Sequence, residues 1–279
     1  MTAPVGLAST ASLLEPVRVR GGVDVEFAVR GGETFASSVY EHGGYRVLLP
    51  KACGRTEAVI INTGGGMAGG DHVSMSFKVA EHGALVATSQ AAERVYRTLG
   101  PVTRTTVRLE AGHNARLFWL PQETILYSGA KLGRRLEADV AGSASLLVSE
   151  IAIFGRDAMG ERVMDASFSD QWRVRRDGRL VLAEAMLLDG PIDKLLQRRS
   201  VADGSRVVAT MLWMAPNAED QLEAARASLE GSRVRAAASS WNGLLLVRMI
   251  GEKSEAVRRS VAAVVRALTA SDMPRVWAT

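Results

Sequence analysis

The side chains with the most chemical promise fall in one stretch, Ile60 to Thr98. Gly64, Gly65, Gly66, Gly69 and Gly70 stand just before Asp71 and His72. Glycine reaches positive φ without steric cost, so such a loop could wrap a phosphate with its N–H groups or let another chain approach the backbone. The phosphate chemistry does not fit. No Gly-Lys-Ser/Thr follows, and Val73, Met75, Phe77 and Val79 alternate as in a strand where a phosphate loop would open a helix. What remains is a sharp structural turn or a close-contact surface. Further on, Gln90, Glu93, Arg94, Tyr96 and Arg97 gather long polar side chains in one short run.

Metal and nucleophile chemistry find little support. Of His42, His72, His82 and His113, three lie in or beside glycine turns. Asp71 and His72 are adjacent in an extended stretch and point to opposite faces, so they do not converge on one ion. There is no Cys-x-x-Cys and no His-x-x-x-His, which argues against a closed metal site. A carboxylate-lined path that holds a cation weakly would leave no such signature. Ser128-Gly129 and Ser149-Glu150 lack a Gly-x-Ser-x-Gly setting, and Cys53 has no histidine near it in sequence. The chain is therefore expected not to be an enzyme.

The elements that must position these groups are mostly strands. Val23 to Val29 alternates strictly, Gly31-Gly32 turns it, and Thr34 to Tyr40 continues the hairpin. Gly43-Gly44 leads to Tyr45–Leu49, and Ala58–Ile61 is a buried-strand run. Val73–Val79 and the Leu85–Ala87 stretch, joined at Glu81-His82-Gly83, are expected to pair as a half-buried hairpin. A weak repeat follows, with turn glycines Gly83, Gly112 and Gly142 spaced 29 and 30 residues apart. Two architectures suit that period: stacked β-coils, each burying its apolar face on a neighbour, or a sandwich of recurring hairpins. Later strands are expected at 167–175, 180–187 (after the Asp177-Gly178 turn), 206–214 and 243–250. Two helices are expected near 218–230, ending at Gly231, and 254–269, capped by Ser254 and buried along Val257, Val261, Val264 and Leu268. Residues 274–277 read as extended. Residues 1–20 read as a loose N-terminal segment, and 21–279 as a single β domain.

Composition sets outer bounds. At 279 residues and 47% hydrophobic the chain can bury a substantial core. A net charge of +4 with no basic run carrying interleaved aromatics implies no nucleic-acid partner. No run of eighteen apolar residues implies no membrane span. A single cysteine, Cys53, excludes an intrachain disulfide and fits the cytoplasm.

Taken together, several motifs resemble the urease accessory protein UreD (UreH) family. They are Asn62-Thr63 with the following glycines and Gly69-Gly70-Asp71; Thr88-Ser89-Gln90-Ala91-Ala92-Glu93-Arg94-Val95-Tyr96-Arg97; Trp119-Leu120-Pro121-Gln122-Glu123-Thr124-Ile125; Gly155-Arg156 with Gly160-Glu161; and Pro274-Arg275-Val276-Trp277. The chain departs from the family at Ser89, commonly Thr, at Arg94, commonly Lys, and in an extra glycine before Met67. Arg for Lys keeps the charge and changes the donor geometry. The resemblance implies a mainly β, β-helix-like fold of stacked strands with two helices in the C-terminal half. It also implies a non-enzymatic scaffold that binds urease apoprotein and UreF, reaches UreG through UreF, forms a homodimer within the accessory complex, and passes nickel in transit with no tightly bound cofactor. On that reading Asp71, Glu123 and Glu161 are the expected nickel path. Gly64, Gly65, Gly66, Gly69 and Gly70 form an interface or tunnel wall, and Gln90, Arg94, Tyr96 and Arg97 contact a partner or brace strand ends. The alternatives are a free-standing β-solenoid binding module with no urease link, or an enzyme using the glycine loop.

Overall fold

The computed structural model describes residues 18–50, 55–156 and 159–278. Cys53 and most of the expected loose segment at 1–20 lie outside the described residues. The fold is a β-solenoid of about four coils. The first coil holds β1 (Arg20–Arg30), β2 (Glu33–His42), β3 (Tyr45–Leu48) and β4 (Thr56–Asn62), and the second β5 (His72–Val79), β6 (Ala84–Ser89) and β7 (Glu93–Val95). The third holds β8 (Thr103–Ala111), β9 (Arg116–Trp119) and β10 (Thr124–Leu126), and the fourth β11 (Lys131–Val140) and β12 (Ser145–Phe154). After the coils come β13 (Ala166–Arg176), β14 (Arg179–Gly190), α1 (Ile192–Leu196), β15 (Val207–Met214), α2 (Leu222–Ala227), β16 (Arg235–Trp241), β17 (Leu244–Gly251) and α3 (Ser254–Thr269).

Parallel stacking sorts the strands into two sheets. β14-β13-β11-β8-β5-β1-β2 form a seven-stranded sheet, and β16-β17-β15-β12-β9-β6-β4-β3 form the main path of a ten-stranded one. Register places like on like. Phe77, Leu109, Ala138 and Val174 make one inward row, and Ala58, Ala87, Trp119 and Val148 make another in the opposite sheet. A short third face stacks Met67, Val95, Leu126 and Phe154, all buried. One apolar core lies between the sheets. A second lies between the outer face of the ten-stranded sheet and the helical layer, where Val257, Val261, Val264 and Leu268 of α3 meet Leu147, Ile151 and Met211. Covered on both faces, β12 is buried from Leu146 to Phe154, which is why it reads as a continuous apolar run.

The expected hairpin at Val73–Ala87 is wrong. β5 pairs in parallel with β1 and β8 in one sheet, while β6 pairs in parallel with β4 and β9 in the other. Alternation plus a glycine turn is common to a hairpin and a coil corner. The distinguishing sign is that Leu85, Val86, Ala87 and Thr88 are all buried, as a strand between two covered faces requires. Three smaller expectations also change. The helix expected over 218–230 is a 3-10 turn at Glu219–Gln221 followed by α2, which stops at Ala227, where the Ser228 hydroxyl donates to the Ala225 carbonyl at 2.7 Å. The N-cap of α3 is Lys253, with Ser254 its first helical residue. Arg275–Trp277 forms a 3-10 turn where extended chain was expected.

The period near thirty is set at the corners. The His82 N–H donates to the His113 carbonyl at 2.9 Å and the Arg116 N–H to the Gly83 carbonyl at 2.8 Å, so each corner sits on the next. A Cβ on Gly112 would lie 2.8 Å from the Glu81 nitrogen, and the atoms it meets are backbone of the neighbouring corner, which cannot swing away. Gly112→Ala is therefore expected to cost about 1–3 kcal/mol as overpacking. Urea unfolding should show a lower midpoint at unchanged slope.

Candidate functional site

The inward row that begins at Val73 carries Thr105, Arg134 and Asp170 on successive coils. Leu132, Leu136, Ala138 and Val140 share the inward face of β11 with Arg134, so a guanidinium enters an apolar interior. It is fully partnered there. Nε and Nη2 donate to the two oxygens of Asp170 at 3.0 and 2.6 Å, and Nη1 donates to Glu150 Oε2 at 2.5 Å. Trp119 Nε1 donates to the other Glu150 oxygen at 2.7 Å, Trp172 Nε1 donates to Asp170 at 3.2 Å, and the Phe168 ring lies 5.5 Å from the guanidinium carbon. Burial opposes the charge on Arg134, but Asp170 and Glu150 outweigh it and raise its pKa. Burial and the charge of Asp170 raise the Glu150 carboxyl above its usual range, against the pull of Arg134. One cation faces two carboxylates, and removing either kind of partner from such a buried set typically costs about 3–5 kcal/mol.

Beside this cluster lies a cavity of about 170 Å³, room for several waters. Met67, Met75, Trp119 and Leu132 supply apolar wall, Glu93 and Glu150 supply carboxylates, and the Thr105 hydroxyl on its wall is buried without a hydrogen-bond partner among the described residues. Gly65, Gln90, Ala91 and Arg94 are its exposed lining residues and mark the mouth. Glu93 accepts from Asn62 Nδ2 at 2.7 Å and from the Tyr45 hydroxyl at 3.3 Å. Burial pushes its carboxyl up despite those bonds. The same burial, with the Glu93 charge alongside, raises Tyr45 as well.

The expected path residues do not meet. Asp71, Glu123 and Glu161 are not among the described residues that line the cavity. The Asp71 carboxylate accepts from the Val19 and Ala68 N–H groups at 2.8 and 2.7 Å, bracing the glycine loop. Glu123 is held by Arg258 Nη1 of α3 at 2.8 and 2.9 Å. Glu161 pairs with Arg156 at 2.8 Å and accepts from the Ser128 N–H at 3.2 Å. Although burial works the other way, these bonds hold Glu161 below the usual carboxylate range.

The glycine loop is locked against the strand-end residues. Met67 and Arg94 share a backbone bond of 2.7 Å, the Tyr96 hydroxyl donates to Gly65 at 2.9 Å, and a Cβ on Gly66 would strike the Tyr96 ring at 2.5 Å. Gly69 packs on Thr98 and Gly70 on Arg18 and Pro101. Tyr96 meets Tyr127 edge-on at 5.3 Å, and Arg156 sits 4.6 Å over Tyr127, so a continuous chain of contacts runs from Glu161 to the loop. The methylenes of the exposed Arg97 cover Gly129. Sequence reasoning missed Arg134, Glu150 and Asp170. Their signal was available: Arg134 interrupts the apolar inward row of β11, and Asp170 does the same between Phe168 and Trp172 in β13.

The fold and this site define a β-solenoid scaffold with a charged, partly enclosed interior. Among the described residues no three His, Cys, Asp or Glu side chains gather as a preformed metal cluster, and no helix is long and apolar enough to cross a membrane. The sequence pattern of the UreD urease accessory protein family matches residues 19–278. The chain is 44% identical over 262 residues to urease accessory protein UreD of Xanthobacter autotrophicus, covering 94% of this chain and 91% of that one. It is 44% identical over 270 residues to UreD 3 of Methylorubrum extorquens (94% and 91%), and 40% identical over 262 residues to UreD of Azorhizobium caulinodans (94% and 95%). The chain belongs to the UreD urease accessory protein family. It is a non-catalytic accessory protein of urease maturation.

Glu93 gives a signed pH dependence. Its folded-state pKa lies above the ordinary glutamate value of 4.5, so the folded chain holds this proton more tightly than the unfolded chain does. Its contribution to stability is full below that ordinary value and is lost as pH rises through the raised one. Glu93→Gln should flatten this part of the stability profile in urea titrations, and leave the protein at least as stable as the wild type at neutral pH.

Proposed function

We propose that this chain is the scaffold on which urease apoprotein receives nickel, and that the ion passes through the interior beside Glu93 and Glu150. The observation that carries this reading is the partly enclosed cavity with two carboxylates in its wall. The donors suit transit. Glu93 and Glu150 already accept hydrogen bonds from neighbours, and Met67 and Met75 offer soft, weak thioethers, so an ion would be held loosely enough to leave. Asp71, Glu123 and Glu161, expected from the resemblance as path residues, serve on this reading as supports around it.

The partners follow the family resemblance: urease apoprotein, UreF, UreG through UreF, and a second copy of this chain within the accessory complex, in the cytoplasm. Gln90 and Arg94 at the mouth, with the glycine loop beside them, are the proposed partner contacts there. Exposed Gln90 and Arg94 can reach outward while Met67, Val95 and Tyr96 stay fixed behind them.

The test is urease activity at limiting nickel in cells that carry the other urease genes, with this chain present, absent or altered at Glu150→Gln. The wild-type chain is expected to be required. Glu150→Gln removes one charge partner of Arg134 and is expected to lower the thermal midpoint. It is therefore compared at equal co-purification with UreF, where activation should fall on the order of tenfold, the scale seen when one group supporting a metal is removed. Full activation without the chain would sink the scaffold reading, and full activation by the variant would remove Glu150 from the path.

A further inference from the structure

The C-terminal 3-10 turn at Arg275–Trp277 lies across the loop that links β9 to β10, and four interactions hold it there. Trp277 Nε1 donates to the Leu120 carbonyl at 3.0 Å, and Gln122 Nε2 donates to the Val276 carbonyl at 2.8 Å. Arg258 Nη2 donates to the Trp277 carbonyl at 3.2 Å, and its guanidinium carbon stacks 4.8 Å from the Trp277 ring. The same guanidinium binds the Gln122 amide oxygen and both oxygens of Glu123. Arg258 is thus the point where helix α3, the C-terminal strap and the β9–β10 loop meet.

Gln122 carries that restraint to the cavity. It is buried, it lines the cavity, and its N–H donates to Ser89 Oγ at 2.9 Å. Ser89 in turn donates to the Ala91 carbonyl at 3.1 Å, and Ala91 is part of the exposed mouth. The Glu93 N–H donates to the Glu123 carbonyl at 2.8 Å, a second tie between clamp and mouth. Besides these ties the Gln90 N–H donates to the Ile60 carbonyl at 2.8 Å, and exposed Gln90 and Ala91 lie outside the ladders, between β6 and β7. Segments tied down by few contacts open at lower free energy than the core around them.

We infer that the strap is a latch on the cavity: Arg258 and Trp277 position the Ser89–Ala91 mouth through Gln122, and releasing the strap widens that mouth and speeds the entry of small solutes. Arg258 and Trp277 are positioning residues, since they act through Gln122 and do not line the cavity. This inference rests on the geometry and holds whatever the cavity carries.

Hydrogen peroxide is a suitable probe, since it transfers one oxygen atom to a thioether sulfur, giving methionine sulfoxide and water. Met67 and Met75 line the cavity, while Met214 is buried between the sheets and outside the lining. Peptide mass spectrometry of the full-length protein, wild type against Arg258→Gln and Trp277→Ala, gives the three rates side by side. Each variant should speed oxidation of Met67 and Met75 about tenfold, equivalent to about 1.4 kcal/mol easier opening, with Met214 unchanged. Unchanged rates at Met67 and Met75 would overturn the latch. So would a parallel rise at Met214, because the strap would then support the whole fold and not this mouth. Trp277→Phe, which keeps the ring and loses the bond to Leu120, should fall between wild type and Trp277→Ala; a rate at or beyond that of Trp277→Ala would count against ring stacking as part of the latch.

Discussion

A guanidinium inside an apolar interior must be compensated, and Arg134 imposes that demand on both sheets at once. Asp170 answers from β13 of the same sheet, and Glu150 answers from β12 of the opposite one. Two tryptophans then fix the carboxylates from the side. The sheets cannot slide by one residue without stranding a charge, so register, already favoured by apolar rows, becomes obligatory here. A well-packed apolar set of similar volume is often as stable as such a cluster, so the charges invite a functional explanation.

The cavity is what this arrangement leaves. On the row where the fourth coil carries Arg134, the third carries the smaller Thr105; both line the space, which Glu93 and Glu150 also bound. Around it the loops are held by separate local networks: Asp71 under the glycine loop, Glu161 with Arg156 at the next corner, and Arg258 with Glu123 beneath the strap. Each network satisfies its charge within a few residues of a loop. The interior pair is different, because Glu93 and Glu150 face space.

Much of the architecture could be read from the sequence because stacking repeats a local pattern. Gly83, Gly112 and Gly142 mark corners at a period that suited either stacked coils or a sandwich, and the parallel pairing of successive coils decides for stacked coils. The pairing of β5 with β6 was misread because alternation and a glycine turn do not say which strand is the neighbour; that is settled by burial on the second face, supplied by distant helices. The site was less legible. Glycine density drew attention to a loop whose tightness serves Tyr96 and Thr98. Acidic residues in family-like motifs, Glu123 and Glu161, proved to be paired with arginines far away or around a corner, and arginine partners 135 and 5 residues distant leave no common spacing. Arg134 and Glu150, which bound the cavity, announce themselves only as interruptions of an apolar face, as does Asp170, the partner of Arg134.

The central claim is that the interior space itself is used. Filling it tests that claim most directly: Thr105→Phe places a ring where a buried hydroxyl with no hydrogen-bond partner among the described residues now lines the cavity, next to Arg134 on the inward row but a member of none of that cluster's hydrogen bonds. The measurement is the nickel content of urease purified from cells making this variant, beside its thermal midpoint and its co-purification with UreF. The account predicts a folded, UreF-associated chain and urease that lacks nickel. Urease with its full nickel content, matured by a folded Thr105→Phe chain, would contradict it.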